Sequence, residues 1–149
     1  MSIESDASAT SKNSLGLMVQ RLSGRLGADM VAELVPYDLA LAQFAILMAV
    51  LGQDGQSQAE IGKQFRMPAY AISRAIDGLE AQGRLSRRVN PKKRQAHCIY
   101  VTQAARDLAP ELFAIVARMN AALVAPLSAA EQVQFKDMLE RVYAHKTQS

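Results

Sequence analysis

Between Ala81 and Ala105 the chain has no acidic residue, yet Arg84, Arg87, Arg88, Lys92, Lys93 and Arg94 all fall there. The cations sit on and between two short runs, 83–89 and 96–102, separated by a Pro-containing basic stretch. Runs of this kind around such a tip predict a β-hairpin with a positive end. The chemistry open to it is charge neutralisation of a polyanion, double-stranded DNA above all. Arg87, Lys92, Lys93 and Arg94 are the candidate phosphate contacts. Bond-making chemistry has no comparable signal. His97 and His145 lack a Cys or carboxylate at metal-ligand spacing, and there is no Gly-rich phosphate loop and no nucleophile elbow. The expectation is therefore a binding protein, not an enzyme, with no metal and no cofactor.

The elements that must position this hairpin lie just upstream. Ser57-Gln58-Ala59-Glu60 reads as a capping box, opening a short helix with Ala59, Ile61 and Phe65 available for the core. Arg66-Met67-Pro68 makes a turn, and Pro68 suits the opening of a second helix because its φ is fixed and it needs no amide partner. That helix is expected over about 69–81, stopped by Gly83. Ile72, Ala75, Ile76 and Leu79 form its apolar stripe; Tyr70, Ser73, Arg74 and Asp77 form the opposite one. Two helices joined by a tight turn and followed by a basic hairpin are the parts of a winged helix-turn-helix. The exposed stripe of the second helix is then the base-reading face. Candidate DNA contacts outside the hairpin are Ser57, Gln58, Ala69, Tyr70, Ser73 and Arg74.

Over residues 39–143 the sequence resembles the MarR-type winged helix-turn-helix regulators. The resemblance rests on six elements in order: Leu39, Gln43 and Leu47; Ser57 to Ile61; Leu79, Glu80 and Gly83; Arg87; Val101-Thr102; and Leu127, Ser128 and Glu131. Two places depart from the family pattern. The wing tip reads Lys93-Arg94-Gln95-Ala96 where the family usually has Asp-Arg-Arg-Ala, so the usual minor-groove contact does not carry over to Gln95. Pro68 and Ala69 replace polar residues at the start of the recognition helix.

The fold class expected is mostly α with a small β-hairpin wing (α+β). Its parts are a flexible arm over 1–12, a dimerisation helix over 13–36, the winged domain over 37–102, and C-terminal dimerisation helices over 103–146. Apolar residues recur at helical spacing from Leu15 to Leu34, and again through Leu108–Leu123 and Val133–Val142, with Thr102 and Ser128 as caps. This is more apolar surface than one winged lobe can cover, which points to a homodimer on a palindromic operator; the resemblance implies the same. It also implies a small, commonly aromatic, anionic effector in a cleft between the dimer helices and the winged lobe. Met18, Arg21, Arg25, Phe44 and Met48 are the candidates to line it, with Arg21 and Arg25 one turn apart to hold a carboxylate.

The chain has one cysteine and no run of eighteen apolar residues, so no intramolecular disulfide, signal peptide or membrane span is expected, and the cytoplasm is the natural compartment. The reading is a homodimeric transcriptional regulator, expected to act as a repressor. Alternatives are a redox-responsive regulator acting through Cys98, or a winged interaction module without specific DNA binding.

Overall fold

The structure is a computed structural model that describes residues 2–90 and 92–148, with the backbone alone for 93–96. Among the described residues, helices and short strands follow one another in the order α1 (Ile3–Asn13), α2 (Leu15–Leu34), α3 (Leu41–Gly52), β1 (Gln56–Ser57), α4 (Gln58–Phe65), α5 (Ala69–Ala81), β2 (Leu85–Asn90), β3 (Lys93–Val101), α6 (Gln103–Val124) and α7 (Ala129–Thr147). The antiparallel sheet has the order β1-β3-β2. The winged helix-turn-helix is therefore α3 to β3, with β1 adding a third strand to the expected hairpin.

The caps explain the boundaries. Ser57 Oγ accepts from the Glu60 amide at 3.1 Å, and the Glu60 carboxylate accepts from the Ser57 amide at 2.7 Å. Ser128 and Glu131 repeat the arrangement at α7. At the end of α5 the Gly83 amide donates to Glu80 and the Arg84 amide to Leu79, both at 2.9 Å, with Gly83 at φ +70. That is a Schellman stop, and it turns the chain directly into β2. Thr102 Oγ1 accepts from the Ala105 amide at 3.2 Å and so opens α6.

One expectation is revised. The segment read as a flexible arm is a helix, α1. Ser2 caps it, Glu4 and Asp6 lie in its first turn and Lys12 in its last, each the favourable sign for the helix dipole. All of it is exposed or half-buried, so local signals and not packing define it. Pro110 lies inside α6, as its place in the sequence pattern suggests, and the helix runs for 22 residues with one amide donor missing from its interior.

The chain divides into two units, residues 1–111 and 112–149. The core of the first comprises Leu34, Leu39, Ile46, Leu47, Val50, Ile61, Ile72, Ile76, Leu79, Leu85, Ile99 and Val101, all buried. These are the inward positions of α3, α4, α5 and the sheet, with Leu34 from the end of α2 and Leu39 from just ahead of α3. Helices α3 and α5 pack closely at Gly78: a β-carbon there would collide with the side-chain amide of Gln43. That amide is already in use, since Gln43 Oε1 accepts from the Ala40 amide at 2.9 Å and caps α3. The second unit holds the rest of α6 and all of α7, joined by a turn in which Gln132 Nε2 donates to the carbonyls of Val124 and Leu127. On α7, Val133, Met138, Leu139, Val142 and Tyr143 are each at least 50% exposed. On α2, Leu15, Met18 and Val19 are exposed as well. Among the described residues no single helix is long and apolar enough to cross a membrane.

Candidate nucleic-acid interface

The two helices of the motif meet through a tight turn. Arg66 closes α4 in the left-handed region (φ 50), and Pro68 is the N-cap of α5, its carbonyl accepting from the amides of Ala71 and Ile72. With Ile72, Ile76 and Leu79 buried, helical geometry turns the opposite side of α5 outward. Ala69, Tyr70 and Arg74 are exposed there, Tyr70 at 70%. Asp77 and Glu80 of the same helix are exposed as well, with their carboxylates engaged by Arg87.

Arg87 does not stand open. Its register partner is Ile99 on β3, and Ile99 faces the core, so Arg87 lies on the α5 side of the sheet. Its Nη1 is 2.6 Å from Asp77 Oδ1 and 3.1 Å from Glu80 Oε1. Its Nη2 donates to the Ser73 carbonyl at 3.1 Å, and its Nε to Gln58 Oε1 at 3.3 Å. The Arg87 amide itself donates to Glu80 Oε2 at 3.0 Å. Four expected DNA contacts are thus explained by internal bonds. Arg87 joins the wing to α5 and α4, Ser73 and Gln58 are among its acceptors, and Ser57 caps α4. The sequence carries a signal for this: Ser73, Asp77 and Glu80 are spaced i, i+4, i+7, an acidic and polar stripe on one face of α5 that calls for a cation.

Arg84, counted among the basic residues of the hairpin, is also turned inward, with Nη2 donating to the Tyr37 carbonyl at 2.5 Å. Arg88 lies over the Tyr100 ring at 4.4 Å, a cation–π pair on the other face of the wing. At the tip, Lys92 is exposed and its amide donates to Asn90 Oδ1 at 2.9 Å, an Asx turn that shapes the hairpin end. The side chains of Lys93, Arg94 and Gln95 lie outside the described residues.

Electrostatics at the helix start is set locally. The Ser57 amide, followed by the Ser57 hydroxyl, holds the Glu60 carboxyl below its ordinary pKa, and Lys63 adds a smaller pull in the same direction. An open groove of about 1000 Å³ runs by α4, the start of α5 and β3, lined in part by Glu60, Lys63, Met67, Ile72, Lys92 and Cys98. Cys98 is half-buried on the sheet, paired with Ser57 on one side and Arg88 on the other.

The residues expected to hold an effector lie elsewhere, and none lines this groove. Phe44 is buried on α3 and Met48 half-buried, while Met18, Arg21 and Arg25 are exposed on α2. Arg21 Nη2 donates to Ser11 Oγ of α1 at 3.0 Å. Among the described residues no group of three or more His, Cys, Asp or Glu could hold a metal ion.

A buried helix pair, an outward-facing second helix and a wing bonded to it define a winged helix-turn-helix protein. Residues 37–96 match the model of the MarR family. The HTH-type transcriptional repressor Rv2887 of Mycobacterium tuberculosis is 28% identical over 128 residues, covering 86% of this chain and 92% of that protein. Two solved structures share the fold. The transcriptional repressor CouR, bound to a 23-mer DNA duplex, matches with a TM-score of 0.81 at 24% identity, over 90% of this chain and 95% of its own. The PcaV regulator of Streptomyces coelicolor, in complex with its natural ligand, matches with a TM-score of 0.75 at 24% identity, over 90% and 94%. The winged segment is thus similar to the MarR family, and about nine-tenths of the chain shares the fold of these regulators.

Proposed function

We propose that the protein is a homodimeric repressor that binds a palindromic double-stranded DNA operator and is released by a small organic anion. The observation that carries the reading is the division of labour around α5. Arg87 pairs with both Asp77 and Glu80, and Tyr70 and Arg74 stand exposed nearer the start of the helix, beside a cationic wing. Such a face reads bases while the wing meets phosphates. The DNA-bound state of CouR and the likeness to the repressor Rv2887 support the same function.

Dimerisation is supported by the exposed apolar residues of α2 and α7, which a second copy would cover. The effector site rests on Arg21 and Arg25. A carboxylate gives Arg21 a charge-assisted partner stronger than the neutral Ser11 hydroxyl it now meets. The ligand complex of PcaV supports small-molecule control in a protein of this fold. Release by tenfold needs about 1.4 kcal/mol of coupling.

Selection of genomic fragments by the purified protein, followed by footprinting, tests the reading. A protected palindrome is expected. Uniform binding to all duplexes would leave a winged module without specific recognition. Aromatic acids screened by thermal shift and then by gel shift test the effector, with Arg21→Ala and Arg25→Ala expected to abolish release and spare DNA binding. Release on oxidation of Cys98, with no acid effective, would replace the ligand by a redox signal.

A further inference from the structure

Helix α3 is bracketed by two polar ties, and both reach the first turns of α6. Ahead of α3, Asp38 takes the left-handed conformation (φ 52), which turns two successive carbonyls toward the exit of α5. Gln82 Nε2 donates to the Asp38 carbonyl at 2.6 Å, and Arg84 Nη2 donates to the Tyr37 carbonyl. The two side chains brace each other, Arg84 Nη1 donating to Gln82 Oε1 at 3.0 Å. The Tyr37 hydroxyl in turn donates to Glu111 Oε2 of α6 at 2.9 Å. Beyond α3, Asp54 Oδ1 accepts from the Val101 amide at the exit of the wing at 2.9 Å, and its Oδ2 accepts from Arg106 Nη2 of α6 at 2.7 Å. The end of the recognition helix and the end of the wing are thus each fastened to α6 through one loop residue.

None of these side chains is on the exposed face of α5. Gln82 and Arg84 instead use their donors on backbone carbonyls, so a change in the angle between α5 and α6 must break a bond to a charged or amide donor. On its inner side α5 meets the Gln43 side chain of α3 at Gly78. The two ties oppose a tilt of the reading head on the first turns of α6.

We infer that Tyr37, Gln82, Arg84 and Asp54 are positioning residues that fix the recognition helix relative to α6 and so set the half-site spacing the dimer accepts. The inference rests on the dimeric DNA-binding function proposed above. In a two-fold dimer the separation of the recognition helices fixes the separation of half-sites, and a stiff mount penalises a wrong spacing.

The test uses the full chain and an operator selected by the parent protein. Affinity is measured for an isolated half-site and for operators whose central spacer is one base pair shorter, unchanged or one longer. The variants are Arg84→Met, Asp54→Asn, the conservative Arg84→Lys, and Tyr37→Phe, which loses one hydroxyl bond and keeps the ring. Arg84→Met and Asp54→Asn are expected to bind the half-site within about twofold of the parent, to lose about tenfold on the natural spacing, and to discriminate less between spacings. Arg84→Lys, which retains one donor for Tyr37, falls between, and Tyr37→Phe moves in the same direction with an unchanged melting temperature. A spacer profile like the parent's in every variant overturns the inference. So does a half-site loss equal to the operator loss, because the ties would then build the reading head and not mount it. A parent protein with no spacer preference overturns the dimer reading and this inference with it; a sharp parent preference shared by all variants overturns this inference alone.

Discussion

Arg87 Nη1 lies 2.6 Å from Asp77 Oδ1, and this one pair joins the first strand of the wing to the recognition helix. The Arg87 side chain is 16% exposed and its partner 62%, so solvent screens the pair from one side only. Replacing Arg87 by Ala removes the ion pairs and the bonds to Ser73 and Gln58, and leaves two carboxylates facing the phosphate side. A stability loss of about 1–2 kcal/mol is expected in urea unfolding, after discounting for exposure. DNA affinity should fall on every sequence alike. Arg87→Lys should recover little, because an ammonium cannot span acceptors placed for a planar fork. Parent-like stability of Arg87→Ala would mean that the network contributes nothing.

On the proposed function, the wing tip is expected to supply affinity without sequence preference. Replacing Lys92, Lys93 and Arg94 by Ala should weaken binding to all duplexes. The slope of log affinity against log salt should flatten by about one for each phosphate that the protein no longer neutralises. An unchanged slope would take the tip out of the interface.

Arg74 should behave in the opposite way. Arg74→Ala is expected to cost about 1–3 kcal/mol on the selected operator and clearly less on random DNA. Tyr70→Ala should follow the same pattern with a smaller effect. Equal losses on both DNAs would assign Arg74 to phosphate.

Leu139 is half exposed on α7, so a charge there costs a lone chain little. Leu139→Asp should leave the secondary structure intact and shift the sedimenting species to monomer at micromolar concentration. A parent protein that sediments as a stable monomer, or a variant that stays a dimer, would remove α7 from the interface.

The capping boxes predict an acid response. The folded-state pKa values of Glu60 and Glu131 are depressed by bonds from Ser57 and Ser128, backbone amide first and hydroxyl second. A depressed carboxylate contributes stability above its unfolded pKa and loses it as pH falls through the folded value. The starts of α4 and α7 should therefore loosen only in acid, below the ordinary glutamate range. Carboxyl carbon titration by NMR should show both residues below the ordinary glutamate range, with Glu60 moving only part of the way back in Ser57→Ala, which removes the hydroxyl and keeps the amide.

Much of the fold was legible because its signals are local. Ser57 with Glu60, Pro68, Gly83 and Ser128 with Glu131 act within a few residues, and each marks the boundary that the structure has. The direction of Arg87 was not legible. A strand residue faces one of two sides, and only the pairing of Arg87 with Ile99 decides which. Charge alone placed Arg84 and Arg87 on the outer surface, whereas backbone carbonyls and the acidic stripe of α5 drew them inward. Helix α1 escaped because its sequence has almost no apolar periodicity, and β1 because two residues cannot display a period.

Gly78 has a meaning for how such a protein changes over generations. At that point α5 meets the Gln43 side chain of α3, and Ile72, Ile76 and Leu79 seat the rest of the helix in the core, so Tyr70 and Arg74 do not hold it in place. Substitutions at Tyr70 or Arg74 can alter which bases are read without reseating the helix. New operators can then be acquired by single steps on an unaltered mount, while a larger residue at Gly78 would first have to displace the Gln43 side chain and the cap it makes on α3.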